Sequence, residues 1–248
     1  MLKEFDLIVI GAGSGLNVSS AAADMGLKVA IVEEGPMGGT CLNRGCIPSK
    51  MIIHAADVIE EIKNAKRIGV DVKVVSADFN KIVRRASELV DEDSKSIEEA
   101  IKEDKNTTLF KGRGVFVDER TLQVGKDIIK GKKIVIAAGT RPIIPQISGL
   151  SDVPYITSTE ALRLQKQPKS MTIIGGGYIA AELAHFFSAL GTEVTIIQRD
   201  MLLVPNEDKE SAELFTKLFS KRCKVLTGYI AINVCKKGKD IITTVAPK

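Results

Sequence analysis

The chain contains two copies of one short pattern, and this repeat constrains the fold more than any other feature of the sequence. Residues 6–34 and residues 170–199 each run from an apolar segment through a glycine-rich turn and a small-residue helical segment into a second apolar segment. Near-continuous apolar strands are typical of a parallel sheet that is covered on both faces. We therefore predict an α/β fold with two Rossmann-like dinucleotide-binding domains, each with a parallel sheet.

The first glycine turn, Gly11–Gly15 with the sequence GAGSG, indicates a site for a pyrophosphate. Its first glycine permits a tight bend, and its second lets the backbone approach the pyrophosphate at the N-terminus of the following helix. Such a turn can also be a plain strand-to-helix connection, but Glu33 follows about 20 residues later, where a carboxylate can bind a ribose. The third glycine position is Leu16, and we expect this larger side chain to push the helix slightly away from the strand.

The second glycine turn differs at the end of the strand that follows it. Gly175 and Gly177 are in place and Ala180 takes the third position, but the strand ends in Gln198-Arg199 instead of an acidic residue. A carboxylate there would bind the 2′-hydroxyl of NAD, whereas Gln removes repulsion of a 2′-phosphate and Arg adds a cation. The pattern therefore favours NADP over NAD. The alternative is that Arg199 is a solvated residue at a strand end.

Two cysteines, Cys41 and Cys46, lie shortly after the first turn in the run GGTCLNRGCIPSK of residues 38–50. A disulfide between them would close a very small ring and would constrain little of the unfolded chain. We expect a redox-active disulfide, and two reduced core cysteines are the alternative. A zinc site would need further ligands, but the other two cysteines are irregularly spaced and the chain has only two histidines, so no metal is predicted.

Composition argues against several classes of partner. A net charge of +4 and an aromatic content of 4% with no Trp give little basis for nucleic-acid binding. No apolar stretch approaches the ~20 residues that span a bilayer, and the N-terminus lacks the pattern of a signal peptide. We expect a cytoplasmic protein with no nucleic acid or membrane partner.

The sequence between the two copies predicts helices followed by strands. Residues 51–104 are expected to be mostly helical, with apolar stripes that face the core. Residues 107–137 are expected to form strands, with turns at Gly112, Gly114, Gly125 and Gly131. The two helical stripes are Ile52, Ile53, Ala56, Ile59 and Ile62, and Ile82, Ala86, Leu89 and Val90.

The cysteine segment, both glycine turns and residues 134–142 (IVIAAGTRP) closely resemble the class I pyridine nucleotide–disulfide oxidoreductases. That family includes dihydrolipoamide dehydrogenase and the glutathione, mycothione and mercuric reductases. The resemblance implies transfer of electrons through FAD between NADP or NAD and a small-molecule disulfide or dithiol. Among the substrates we place dihydrolipoamide first, then a glutathione- or mycothiol-type disulfide, and then mercuric ion.

The resemblance also implies roles for individual residues. Cys46 corresponds to the sulfur next to the flavin, and Cys41 to the interchange thiol that attacks the substrate. Lys50 and Glu182 correspond to a pair beside the flavin, with two unrelated surface charges as the alternative, and Tyr178 to a gate of the nicotinamide pocket or a packing residue. Independently of the family, a helix N-terminus stabilises the thiolate of a cysteine in its first turn. The cofactor-binding positions implied are Gly11, Gly13, Ser14, Gly15, Glu33, Gly39, Thr40, Lys50, Gly114, Gly139, Gly175, Gly177, Tyr178, Ile179, Glu182, Gln198 and Arg199. A second arginine of the family's 2′-phosphate site corresponds to Pro205 and is missing.

The resemblance divides the chain into two domains. Residues 1–146 are expected to form the first segment of an FAD-binding domain with the redox disulfide, and residues 147–248 an incomplete NAD(P)-binding domain. The family's C-terminal dimerisation domain, with its His–Glu catalytic pair, has no counterpart, and neither His54 nor His185 replaces that histidine. We expect a fragment of a homodimeric enzyme, with a truncated, non-catalytic flavin- or nucleotide-binding module as the alternative.

Overall fold

The computed structural model describes residues 2–248, which form two compact units. The first unit contains the chain up to Pro48 together with Ser87–Arg141, and the second contains Ser49–Ala86 and Pro142–Lys248. The helices are α1 (Gly15–Asp24), α2 (Gly39–Arg44), α3 (Cys46–Asn64), α4 (Phe79–Glu103), α5 (Ser158–Ala161), α6 (Tyr178–Ala189) and α7 (Lys209–Phe219). The strands are β1 (Leu2–Ile10), β2 (Val29–Glu33), β3 (Thr107–Lys111), β4 (Gly114–Asp118), β5 (Thr121–Val124), β6 (Asp127–Ile136), β7 (Ser170–Ile174), β8 (Glu193–Gln198), β9 (Lys224–Thr227), β10 (Tyr229–Lys237) and β11 (Asp240–Pro247).

The first unit is built on one sheet with the strand order β3-β2-β1-β6-β5-β4. The strands β3, β2, β1 and β6 are parallel, and β5 and β4 are antiparallel additions. Successive side chains of a strand point to opposite faces. Ile8 accordingly packs in the apolar cluster on one face, whereas Leu7 and Val9 pack in the cluster on the other. The predicted parallel sheet with two covered faces is therefore confirmed for the first copy of the repeat.

Two of the predicted turn positions in the first unit are wrong, because Gly114 is the first residue of β4 and pairs with Val124, and Gly131 is not in a turn either. Gly131 lies inside β6 and pairs with Phe5 of β1. A Cβ atom on Gly131 would lie 2.8 Å from the carbonyl oxygen of Lys133 in the same strand and 2.9 Å from the Cγ1 atom of Ile8 on β1, so this position has no room for a side chain. The turn between β4 and β5 instead contains Arg120, whose φ of 51° gave no signal in the sequence.

The helical prediction for residues 51–104 holds over most of that range. Ile52, Ala56 and Ile59 of α3 are buried as predicted. The 3-10 turn Ala65–Ile68 ends at Gly69, which has a positive φ, and residues 70–78 after it have no regular structure. The stripe on α4 was placed partly wrongly, since Leu89 is 44% exposed. The buried face of α4 is formed by Phe79, Val83, Ala86, Val90 and Ser94, at the spacing of a helix.

The second unit contains the second copy of the repeat. The strands β7, β8 and β9 form a parallel sheet, and β10 and β11 form an antiparallel hairpin. Phe186 and Phe187 of α6 are fully buried and pack with Phe79, so this helix covers the apolar core of the unit. The segment 225–234 is divided between β9 and β10. The functional domains 1–146 and 147–248 remain a prediction. In residues 2–248 we find no helix with the length and apolar character needed to cross a bilayer.

Candidate active site and nucleotide-binding turns

Glu33 lies at the end of β2 and holds the first glycine turn. One of its carboxylate oxygens accepts a hydrogen bond of 2.8 Å from the backbone N–H of Ala12. The other accepts a bond of 2.7 Å from the N–H of Gly35. A carboxylate oxygen has more than one acceptor position, so both oxygens can also accept hydroxyl groups. The carboxylate thus lies beside the turn, at the place where the sequence predicted a ribose ligand.

The helix that follows this turn packs closely against the sheet, contrary to the expectation based on Leu16. A Cβ atom on Gly15 would lie 2.7 Å from the Cγ1 atom of Val9 and 3.1 Å from the Cβ atom of Ala137. Gly15 therefore allows the close contact between α1 and β1 that was expected to depend on residue 16, the third glycine position. Leu16 is partly buried in the apolar cluster that contains Val9, so it joins the core instead of separating α1 from β1.

The helix that carries Cys41 begins against the same turn. The N–H of Gly38 donates to the carbonyl oxygen of Ala12 at 2.8 Å. A Cβ atom on Gly13 would lie 3.2 Å from the Cα atom of Gly39, so the two backbones touch with no room for side chains. Gly139 is close to this contact, because its Cβ position lies 3.9 Å from the hydroxyl oxygen of Thr40. The first unit thus brings together four of the predicted cofactor-binding residues.

Asn43 positions this segment, and the sequence analysis missed it. Its buried amide donates to the carbonyl oxygens of Met37 at 2.7 Å and Gly39 at 2.9 Å. The hydroxyl of Ser94, on α4, donates to the same carbonyl of Met37 at 2.8 Å. A polar residue between the two cysteines was the one signal in the sequence, but its partners could not be identified without the fold.

Cys41 is the third residue of α2, and Cys46 is the first residue of α3. Both are exposed, and no disulfide joins any of the four cysteines in residues 2–248. A hydrogen bond with the Cys46 side chain raises the pKa of Cys41, and partial burial acts in the same direction. The backbone N–H groups of Cys46 and Ile47 lower this pKa by a smaller amount. The N–H groups at the start of α3 therefore stabilise the Cys41 thiolate, as expected for a helix N-terminus. The hydrogen bond with the Cys46 side chain and partial burial raise the pKa by a larger amount.

Lys50 and Glu182, paired by the sequence analysis, form an ion pair in the second unit. The Nζ atom of Lys50, on α3, lies 2.5 Å from a carboxylate oxygen of Glu182, on α6. The side chains are 62% and 30% exposed. The alternative of two unrelated surface charges is therefore ruled out, whereas a role for the pair beside a flavin remains a prediction.

The second glycine turn borders an open groove of about 660 Å³ in the second unit. Gly175, Gly177, Tyr178 and Ile179 line it together with residues from β7 and the segment 142–145. A Cβ atom on Gly177 would meet nothing within 4 Å, so the turn has room in front of it. Tyr178 is 68% exposed, which disfavours a simple packing role and leaves the predicted gate open to test.

Gln198 and Arg199 have different environments at the end of β8. Gln198 is buried beneath the second turn, where a Cβ atom on Gly176 would lie 2.9 Å from its Cδ atom. Its amide donates to the carbonyl oxygen of Leu202 at 3.2 Å. Arg199 is exposed, and its Nε atom lies 3.6 Å from a carboxylate oxygen of Asp200. Asp200, which the sequence analysis did not single out, is the carboxylate at this strand end.

The remaining predicted residues have simpler surroundings. Gly114 begins β4 and faces the side chain of Val32, and Ser14 precedes α1 without a side-chain capping bond. His54 is exposed on α3, whereas both ring nitrogens of His185 are bonded, to Asp57 at 2.8 Å and to Arg222 at 2.7 Å. Residues 2–248 contain no group of three or more His, Cys, Asp or Glu side chains placed to hold a metal ion.

Comparison with known proteins gives consistent matches. Residues 5–242 match the family model described as pyridine nucleotide-disulphide oxidoreductase. A mercuric reductase of Staphylococcus aureus is 35% identical over 96% of this chain and 44% of its own length, and a dihydrolipoyl dehydrogenase of Chlamydia pneumoniae is 39% identical over 92% and 50%. Among solved structures, the Cu(II) complex of the HOCl-induced flavoprotein disulfide reductase RclA from Escherichia coli aligns with a TM-score of 0.86 at 25% identity, covering 98% of this chain and 53% of that one. The chain thus spans about half the length of the relatives it matches.

Proposed function

Since the chain belongs to the pyridine nucleotide-disulphide oxidoreductase family, we propose that it passes two electrons between NADPH or NADH and the Cys41–Cys46 pair with the help of FAD. The contact between Gly13 and Gly39 carries this proposal, because it brings the start of the cysteine-bearing helix against the first glycine turn. A plain strand-to-helix turn does not require contact with a second backbone at which both residues lack side chains.

The residues of the first unit fit FAD. The N–H groups of Gly13, Ser14 and Gly15 stand at the start of α1, where helical N–H groups have no intrahelical partner and can bind a pyrophosphate. The carboxylate of Glu33 is held beside them by the N–H of Ala12 and can accept a ribose hydroxyl. When bound, FAD supplies a two-electron carrier between the nicotinamide and a neighbouring disulfide.

The second unit holds the pyridine nucleotide in this proposal. The open turn at Gly175 and Gly177 takes the pyrophosphate, with Tyr178 and Ile179 on the wall of the same groove. Arg199 takes a 2′-phosphate. Lys50 forms an ion pair with Glu182 at 2.5 Å. In this proposal Lys50 supplies a cation that favours negative charge on the reduced flavin.

The two cysteines perform the exchange with the substrate. Two electrons and one proton convert their disulfide into a Cys41 thiol and a Cys46 thiolate, and the hydrogen bond between them keeps the proton on Cys41 because it raises the pKa of that thiol. After losing this proton, Cys41 attacks a substrate disulfide, forms a mixed disulfide and releases one substrate thiolate. The Cys46 thiolate then attacks the Cys41 sulfur, which restores the Cys41–Cys46 disulfide and releases the second substrate thiolate.

We propose a dihydrolipoamide-like dithiol as the substrate. Its two electrons pass to the Cys41–Cys46 disulfide by the same exchange in reverse, and the reaction runs toward the reduced nucleotide. The dihydrolipoyl dehydrogenase at 39% identity supports this choice. Reduction of mercuric ion is the second candidate, because a mercuric reductase matches a larger share of this chain, 96%, at 35% identity. Glutathione- and mycothiol-type disulfides are further outcomes of the same test.

The experiment compares these substrates on the FAD-loaded protein. Lipoamide, glutathione disulfide, mycothione and Hg²⁺ are each supplied with NADPH or NADH, and nucleotide oxidation is recorded. We expect turnover with lipoamide above the others and none in Cys46→Ser. Cys235→Ser, which changes another exposed thiol, is the matched control and should retain full activity. Equal turnover in wild type and Cys46→Ser would overturn the proposal, and FAD binding without turnover of any substrate would indicate a non-catalytic module.

A further inference from the structure

The two copies of the repeat differ in the carboxylate at the end of their second strand. In the first copy the last residue of β2 is Glu33, which accepts the N–H of Ala12 inside the turn. In the second copy the corresponding Gln198 is buried, and its amide is directed toward the chain that follows β8. A carboxylate is nevertheless present at this strand end, because Asp200 follows two residues later.

Asp200 is held by two cations. One carboxylate oxygen lies 3.1 Å from the Nζ atom of Lys248, and the other lies 3.6 Å from the Nε atom of Arg199. The backbone fixes the same place, since the carbonyl of Asp200 accepts the N–H of Gly228 at 3.0 Å and the carbonyl of Gly228 accepts the N–H of Lys248 at 2.9 Å. The side chain of Asp200 is 35% exposed, so a ligand can reach it.

We propose that Asp200 sets the choice between NADPH and NADH at this strand end, an inference that rests on the proposed nucleotide-binding function of the second unit. In the absence of a 2′-phosphate the Asp200 carboxylate forms ion pairs with Arg199 and Lys248. A 2′-phosphate must displace this carboxylate to bind both cations, whereas a 2′-hydroxyl can donate a hydrogen bond to it. Asp200 therefore weakens NADPH binding and favours NADH. Lys248 supplies the second cation of the site, because the second arginine of the family's 2′-phosphate site is replaced by Pro205.

Charge explains the direction of the expected effect. Arg199, Lys248 and Asp200 together carry one net positive charge, and Asp200→Asn raises it without changing the size of the side chain. The Lys248 ammonium lowers the pKa of Asp200, so this carboxyl is ionised near neutral pH. Like charges a few ångströms apart at a protein surface repel measurably even after screening by salt. We expect Asp200→Asn to bind NADPH roughly fivefold more tightly and NADH no more tightly than wild type.

Calorimetric titration of the purified protein with NADPH and with NADH tests the inference. The ratio of the NADH to the NADPH dissociation constant should rise roughly fivefold in Asp200→Asn and fall in Arg199→Gln and Lys248→Gln. Asp200→Glu keeps the charge and should keep the wild-type ratio. Glu213→Gln is the matched control, because it neutralises another exposed acid that faces a lysine, at 3.9 Å, on α7.

The outcomes separate this inference from the proposed function. Wild-type binding of both nucleotides with an unchanged ratio in Asp200→Asn overturns the role of Asp200 alone. Failure of the wild type to bind either nucleotide overturns the proposed function of the second unit, and the inference with it. If Asp200→Asn fails to fold, Lys248→Gln tests the same claim from the other side of the ion pair, and an unchanged ratio there contradicts it.

Discussion

The ammonium nitrogen of Lys50 lies 2.5 Å from a carboxylate oxygen of Glu182 and thereby joins α3 to the helix that follows the second glycine turn. The lysine side chain is 62% exposed, and exposed ion pairs contribute at most about 1 kcal/mol to folding. The proposed role of this pair beside a flavin therefore predicts an effect on electron transfer and little effect on folding. This separation of roles can be measured.

Lys50→Gln should impair reduction of the disulfide far more than folding. We expect the rate of nucleotide-driven reduction to fall at least about tenfold, because the variant lacks the cation that is proposed to lie beside the flavin. The free energy of unfolding in urea should fall by less than about 1 kcal/mol. Lys63→Gln is the matched control, because Lys63 pairs with Glu60 at 2.8 Å on the same helix. Equal rates for the two variants would contradict a role for Lys50 in electron transfer.

Glu33→Gln should weaken FAD binding. The change removes the charge that accepts the N–H groups of Ala12 and Gly35, and it turns one acceptor into a donor. Hydrogen bonds to charged groups contribute about 1.5–3 kcal/mol, so we expect the dissociation constant for FAD to rise by about ten- to a hundredfold. Fluorescence titration measures it. The neighbouring Glu34, which pairs with Arg141 at the surface, provides the control, and Glu34→Gln should bind FAD like the wild type.

In the reduced chain, alkylation of Cys41 should reach its midpoint at a higher pH than alkylation of an ordinary cysteine thiol. Because the hydrogen bond with Cys46 raises the pKa of Cys41, less of this thiol is ionised at a given pH. Cys46→Ala removes the bond, so the midpoint of Cys41 alkylation by iodoacetamide should move to lower pH. Mass spectrometry of the Cys41 peptide follows the reaction, and Cys235→Ala should leave the midpoint unchanged. A midpoint that stays in place or rises in Cys46→Ala would refute the assigned bond.

The capping box at α5 should contribute stability that depends on pH. Glu160 accepts the N–H of Thr157 at 2.7 Å and its hydroxyl at 2.6 Å, and these bonds lower the pKa of Glu160 below its usual 4.5. A lowered pKa in the folded state means that the contribution is present above pH 4.5 and is lost as the pH falls further. Glu160→Gln should lower the free energy of unfolding by about 0.5 kcal/mol at pH 7, since Glu160 is exposed.

Urea unfolding at several pH values measures this difference. The gap between wild type and Glu160→Gln should close as the pH falls below 4.5, while Glu207→Gln, an exposed acid before α7, should follow the wild type throughout. A gap that is constant with pH would mean that the carboxylate charge is not what the cap requires.

Local patterns in the sequence predicted the fold well, and contacts between distant segments account for what was missed. The first turn, α1 and β2 follow from glycine positions and apolar runs within 30 residues, so they were predictable. Gly131 was wrongly placed in a turn. A Cβ atom there would meet the carbonyl oxygen of Lys133 in its own strand and the side chain of Ile8 on β1, and neither contact gives a signal in the sequence. The same limit explains why Gly15, rather than residue 16, was found to make the close helix contact.

The candidate site shows the same limit. The pairing of Lys50 with Glu182 was anticipated only through a resemblance to known sequences, because the two residues are 132 positions apart. Asn43 and Asp200 were not anticipated at all. The contact of Asp200 with Lys248 spans 48 positions, and neither residue belongs to a recognisable motif.

The most direct test of the central claim is a count of thiols after anaerobic reduction. The oxidised, FAD-loaded protein is mixed with NADPH or NADH, quenched by acid and alkylated, and the labelled cysteines are identified by mass spectrometry. The account predicts two new thiols for each bound FAD, at Cys41 and Cys46, and no gain without nucleotide or in Cys46→Ser. Consumption of nucleotide with no new thiol at either position would contradict electron transfer to this pair.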